Sequence, residues 1–375
     1  MAPRNRLHIR RRTATMALAT AAVALAACTS GLAKPVQAPA TSTHRSAASK
    51  RPAPAPSRRP SRPAGEFTIS FAGDVNFMDR TLARLQADPA TVFGSAAAVL
   101  RDADITMVNL ETAITTAGDA QNKEFVFRAP PVALTALKDA GIDVATEANN
   151  HGADYGAAGL ADTLAAIKTS GFPVIGIGAD ETQAFAPYTR VVNGAKVAII
   201  AADQVQDETT LRLFSAGPHS PGVANAFSPL LLNAVRAAKA QGYVVVVYVH
   251  WGTEYQVAPN DNQRTLAGEL AQAGASAVIG THAHVLQGCG WRSDGVFVAY
   301  GLGNYLWWRS FGNNQDDNGV LTLTFGNGKV IADQFNASQL DENGVPVPAT
   351  GADKARIDAE WAQAGLSAGL SPRPA

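Results

Sequence analysis

Cysteine is nearly missing from this chain, with two in 375 residues, Cys28 and Cys289. That scarcity excludes a disulfide-stapled scaffold and a thiolate zinc knuckle. No cysteine-protease or redox spacing surrounds Cys289, which reads as a small apolar filler. Acidic residues are absent from residues 1–65, which hold 12 of the 31 Lys and Arg, so residues 66–375 carry 19 bases against 31 acids. A folded part with net charge −12 excludes nucleic acid as its partner. No internal repeat is visible, and no linker interrupts the sequence after Gly65.

What is present begins with a basic run, Arg4 to Arg12, followed by the apolar stretch "MALATAAVALAAC". That stretch is too short to remain as a membrane span, so residues 1–27 are expected to be a signal peptide. "LAAC" resembles a bacterial lipobox, making Cys28 the expected first mature residue and lipidation site. A palmitate-type anchor would then hold the protein at the cell membrane on its extracytoplasmic side. Without use of the lipobox the protein would be secreted, and Arg11-Arg12 also fits a twin-arginine signal. Residues 28–65 are rich in Pro, Ala and Arg, including "KRPAPAPSRRPSRPAG". Such a segment buries too little apolar surface to offset its chain entropy, so a disordered tether is expected.

From Glu66 onward, short apolar runs alternate with amphipathic segments. "FTISFAGD", "YVVVVYVHWG" and "ASAVIGTHAHV" read as strands, whereas "GLADTLAAIKTSG", "LLNAVRAAKAQG" and "QRTLAGELAQAG" read as helices. Asn193-Gly194 predicts a hairpin. The repeated order predicts an α/β domain over residues 66–340, with a peripheral segment over 341–375.

Polar residues recur at the C-terminal ends of the predicted strands: Asp74, Asn109 with Glu111, Asn149-Asn150-His151, His250, and His282 with His284. Strand ends are where α/β folds collect ligands. Four of the five histidines beyond the tether stand in these motifs. Carboxylate, amide and imidazole donors without thiolates suit Mn, Zn or Fe as divalent ions. His282 and His284, two apart on a segment read as extended, should point the same way.

The ordered motifs "GD", "NLE", "NNHxxDYG", "HWGxEY", "HxHV" and "GLGN" resemble the CapA family of capsule and poly-γ-glutamate biosynthesis proteins, a relative of the calcineurin-like metallophosphoesterases. The resemblance covers roughly Phe67 to Phe325. It implies two packed mixed β-sheets flanked by helices in four layers, with one or two metal ions at one edge. Asp74 would bind the first ion, Glu111 would bridge, Asn150, His250 and His282 would hold the second, and His284 would return to the first. His151 would donate a proton with support from Asp154. Arg128 and Glu254 are expected to contact substrate, Glu254 also being placed to orient His250 or join a metal. Trp251, Trp307 and Trp308 fit either a polymer groove or the core. Two departures stand out: Asn76 occupies a position where such enzymes commonly have His, and Ala283 one where the family often has Pro.

The resemblance implies action on a cell-surface polymer or its precursor, beside capsule-synthesis membrane proteins. A secreted metal-dependent phosphatase or phosphodiesterase also fits the motifs, as does a catalytically silent polymer-binding or assembly factor.

Overall fold

The structure is a computed structural model that describes residues 62–207 and 209–374. The expected signal peptide, Cys28 and nearly all of the tether lie outside the described residues.

Two sheets carry the fold. The larger, with eight strands, runs in the order Pro346–Pro348, Lys329–Leu340, Asp317–Gly326, Phe67–Val75, Ile105–Leu110, Val144–Thr146 and Val174–Ile175, with Asn304–Leu306 pairing beside the end of Phe67–Val75. It is mixed, because Phe67–Val75 runs parallel to Ile105–Leu110 and antiparallel to Asp317–Gly326. The second has six strands, ordered Cys289–Trp291, Phe297–Ala299, Ala277–His282, Val244–Trp251, Ala195–Asp203 and Tyr188–Val192. Its four central strands are parallel and its two edges antiparallel.

The central strands of each sheet are buried on both faces, which follows from their near-continuous hydrophobic runs. Phe67, Ile69 and Phe71 from one sheet share a buried core with Val244, Val246 and Tyr248 from the other. Alternate residues face outward onto helices. Val108 and Ala145 meet Leu134 and Leu137 on one side, and Val245 and Val247 meet Leu231, Val235 and Leu270 on the other. The result is helix, sheet, sheet, helix, the four-layered α/β arrangement.

Local sequence sets these elements. Helix Asp261–Ala273 starts at Asn260, which forms a reciprocal capping box with Gln263, and ends at Gly274 in the left-handed region, φ 113°. It buries Leu266, Leu270 and Ala273, at helical spacing, against the second sheet. Each buried leucine contributes about 1.5–3 kcal/mol. The Asn193-Gly194 turn has φ 46° and 85°, as a two-residue primed hairpin needs, and Asn327-Gly328 repeats it at 51° and 78°. At the C-terminus, helix Gly351–Ser367 buries Trp361 in a stack on Phe335 with ring centroids 4.5 Å apart. Ser371 and Trp291 then exchange backbone hydrogen bonds of 2.8 Å.

Candidate metal centre

The strands of the two sheets end together, and the polar motifs sit on those ends. Asp74 is fully buried where the Phe67–Val75 strand bulges. Its backbone N–H donates to the carbonyl of Gly303 at 2.9 Å. Gly73 permits that approach, since a Cβ there would overlap the Gly303 carbonyl oxygen. The glycines of "GD" and "GLGN" thus join two chain segments at the site. Tyr248 adds a tie between the sheets, its hydroxyl donating to the Ala72 carbonyl at 2.7 Å.

Asn109 is the hub of the buried network. Its Nδ2 donates to Asp74 Oδ1 at 2.8 Å and lies 3.3 Å from Glu111 Oε2 and 3.2 Å from His250 Nδ1. Asn149 Nδ2 in turn donates to Asn109 Oδ1 at 2.9 Å. His250 Nε2 lies 3.0 Å from Asn150 Oδ1 and 3.1 Å from His282 Nδ1. His284 Nδ1 is 3.5 Å from Asp74 Oδ2 and 2.8 Å from Asn304 Oδ1. Asp74, Glu111, Asn150, His250, His282 and His284 therefore converge. Ligand atoms of Asp74, Glu111 and His250 lie within 4.8 Å of one another, as do those of Glu254, His282 and His284.

A divalent ion fits this donor set. Glu111 Oε1 is buried with no hydrogen-bond partner. Around it stand His151 Nε2 at 3.7 Å, His284 Nε2 at 3.8 Å and His250 Nε2 at 4.0 Å. These separations exceed a hydrogen bond, yet two ligands each about 2.1 Å from one ion stand roughly 3–4 Å apart. An orphaned carboxylate oxygen among imidazole nitrogens is what a shared cation would satisfy.

Charge follows from burial. Desolvation, then the nearby Asp74, push the Glu111 carboxyl well above its usual range. Burial, then mutual proximity of the imidazoles, hold His250 and His282 well below theirs. Burial also lowers His284, but the hydrogen bond and charge of Asp74 outweigh it and the net shift is upward. In His151 burial wins over Asp154, and its pKa falls.

The His282–His284 segment is not extended. His282 has φ 89° and His284 φ 55°, both left-handed, and this turn at the strand end swings one ring toward His250 and the other toward Asp74. The rings converge by a backbone turn rather than by strand alternation.

His151 Nδ1 lies 2.6 Å from Asp154 Oδ2, which leaves Nε2 facing Glu111. Asp154 also accepts from the backbone N–H of Phe127 at 2.6 Å. Glu254 is exposed and approaches His282 and His284, while the nitrogens of His250 meet Asn109, Asn150, Thr281 and His282. Arg128 lies over the Tyr155 ring, 4.7 Å from its centroid. Asn76 Nδ2 donates to the Glu111 carbonyl at 3.0 Å, and its Oδ1 is buried without a partner. Trp251 is core, its Nε1 donating to Tyr300 O at 2.8 Å, whereas Trp307 packs on His284 with ring centroids 4.9 Å apart.

Sequence reasoning missed Lys123. Its side chain is 13% exposed, and Nζ meets Asn150 O at 2.6 Å, Asp154 Oδ1 at 2.8 Å and Asp207 Oδ2 at 3.1 Å. One ammonium thus ties together the segments bearing Asn150 and Asp154 and a loop of the second sheet. Asn304, the last residue of "GLGN", was visible as a motif but not as the partner of His284.

Two face-to-face sheets with carboxylates and imidazoles gathered at their strand ends define a four-layered α/β protein with a candidate metal-binding cluster. The chain belongs to the bacterial capsule synthesis protein PGA_cap family, whose model matches residues 68–307. It is similar to the PGA biosynthesis protein CapA of Bacillus subtilis (strain 168), with 29% identity over 256 residues, 67% of this chain and 66% of that protein. It is also similar to the capsule biosynthesis protein CapA of Bacillus anthracis, with 29% identity over 308 residues, 78% of this chain and 72% of that protein. The chain thus spans about two thirds of the length of the first of these relatives.

Proposed function

We propose that this chain is an extracytoplasmic, lipid-anchored protein that acts in the biosynthesis, release or retention of a cell-surface polymer of poly-γ-glutamate type, through a metal-dependent hydrolase-like centre. The unpartnered Glu111 Oε1 among three imidazole nitrogens carries the metal part of this reading. The names of the relatives supply the polymer, and the basic run with "LAAC" supplies the anchor at Cys28. Asp74, Glu111, His250 and His284, with Asn150 and His282, would hold one or two ions. Divalent ions there would polarise the oxygen of a scissile bond and activate water.

The remaining work falls to the chain. Asp154 accepts from His151 Nδ1, so the proton that His151 can exchange sits on Nε2, the atom facing the cluster. Lys123 holds Asp154 and the Asn150 carbonyl in place. Aromatic rings beside His151 and His284 keep water from these groups.

A second reading, a polymer-binding factor without turnover, is favoured by Asn76, an amide where related phosphoesterases commonly have an imidazole. Incubating the full-length, metal-loaded protein with poly-γ-glutamate and with phosphoesters separates the readings. Shortened polymer supports the proposal, phosphoester turnover alone favours a phosphatase or phosphodiesterase, and bound metal without turnover favours the binding factor.

A further inference from the structure

Above the cluster lies a cleft walled by rings. Phe127 stacks on His151 with centroids 4.1 Å apart, Trp307 packs on His284 at 4.9 Å, and Tyr255 lies 6.2 Å from His284. The same cleft is lined at its rim by Trp308, Arg309 and Phe311. Arg309 is exposed, and its guanidinium carbon stands 4.2 Å from the Trp308 ring centroid and 4.6 Å from that of Phe311.

Two facts bear on this arginine. Among the described residues lining the cleft it is the one Lys or Arg. Among the described residues it also has no carboxylate within ion-pair distance, whereas Arg356 grips Asp317, Arg292 grips Asp294 and Arg190 grips Asp143. A guanidinium held over two ring faces keeps its plane fixed while its edge N–H groups stay open. An edge of that kind matches the two oxygens of an oxyanion.

We propose that Arg309 forms an anion subsite beside the metal centre, gripping a carboxylate of the polymer so that a neighbouring backbone bond lies over the cluster. The proposal rests on the polymer reading above. The ring walls suit the methylene and amide portions of such a chain, and Arg309 selects its charge. Arg128, held over Tyr155, is not among the residues lining this cleft.

The test is calorimetric titration of the full-length protein with a γ-glutamyl oligomer and, separately, with inorganic phosphate, comparing wild type with Arg309→Ala and Arg309→Lys. The wild type should bind the oligomer in a salt-sensitive manner. Arg309→Ala should weaken that binding about 10-fold or more with metal content unchanged, and Arg309→Lys should recover part of it. Oligomer binding by Arg309→Ala within about twofold of wild type overturns the subsite and leaves the polymer reading standing. Phosphate binding that depends on Arg309, with no binding of the oligomer, keeps the anion subsite and overturns the polymer reading. Wild-type protein that binds neither overturns both.

Discussion

The carbonyl of Gly303 occupies the space that a side chain on Gly73 would need, and it accepts the backbone N–H of Asp74 at 2.9 Å. This close approach sets where the Asp74 carboxylate stands. Gly73→Ala forces the two segments apart, so it should cost about 1–3 kcal/mol and lower metal content together. Gly268→Ala is the control, because it lies inside helix Asp261–Ala273 with no atom nearer its added Cβ than 3.5 Å. That change should stabilise by about 0.5–1 kcal/mol. Urea unfolding of both variants checks the pair; equal effects would refute the packing argument.

Lys123→Met should destabilise the fold by about 3 kcal/mol or more, since it strands the buried Asp154 carboxylate together with Asp207. Lys123→Arg keeps the charge but not the compact geometry, and should recover part of the stability. Chemical unfolding measures both. A Lys123→Met variant as stable as wild type would show that the three contacts contribute nothing.

His151 must carry a second proton to act as an acid, and its charged fraction falls as pH rises through its pKa. Burial places that pKa below the ordinary histidine range, with Asp154 opposing the shift. Asp154→Asn should therefore move it lower still, as read by NMR titration of the ring. His151→Ala should lower turnover by about 10²–10⁴-fold and leave metal content intact. An unchanged titration in Asp154→Asn would contradict the pairing.

Glu147 is fully buried, both carboxylate oxygens lack partners, and desolvation raises its pKa well above the usual value. In the unfolded chain the group ionises at about pH 4.3, while the folded protein retains the proton to higher pH. Its stability contribution is full below the unfolded value and is lost as pH rises toward the folded one. Glu147→Gln should flatten the decline. Unfolding free energies from pH 4 to 8, about the span concerned, test it, and parallel curves for the two proteins would exclude this role.

Much of this was legible because the chemistry of an apolar strand ending in a carboxylate or imidazole is conspicuous. Asp74, Glu111, His250, His282 and His284 announced themselves by residue type and by position after a hydrophobic run. The supports did not. Lys123 and Arg309 belong to types usually found solvated, and their roles come from partners such as Asp207, 84 residues away, or from neighbouring rings. Arg128 and Arg309 are the same residue type, and only the folded chain decides which of them reaches the cleft. The left-handed turn at His282 and His284 carries no glycine to mark it.

Glu111, set among His151, His250 and His284, is proposed to be part of a divalent metal centre. Binding should displace protons from Glu111 and His284, the two groups whose pKa values are raised, so affinity should rise with pH. Elemental analysis of the full-length protein, equilibrated with Mn²⁺, Zn²⁺ or Fe²⁺ and then desalted, tests it most directly. The predicted result is about one or two ions per chain, falling in Asp74→Asn, Glu111→Gln and His250→Ala. Wild-type protein that retains far less than one ion per chain, or variants that retain as much as wild type, would contradict it.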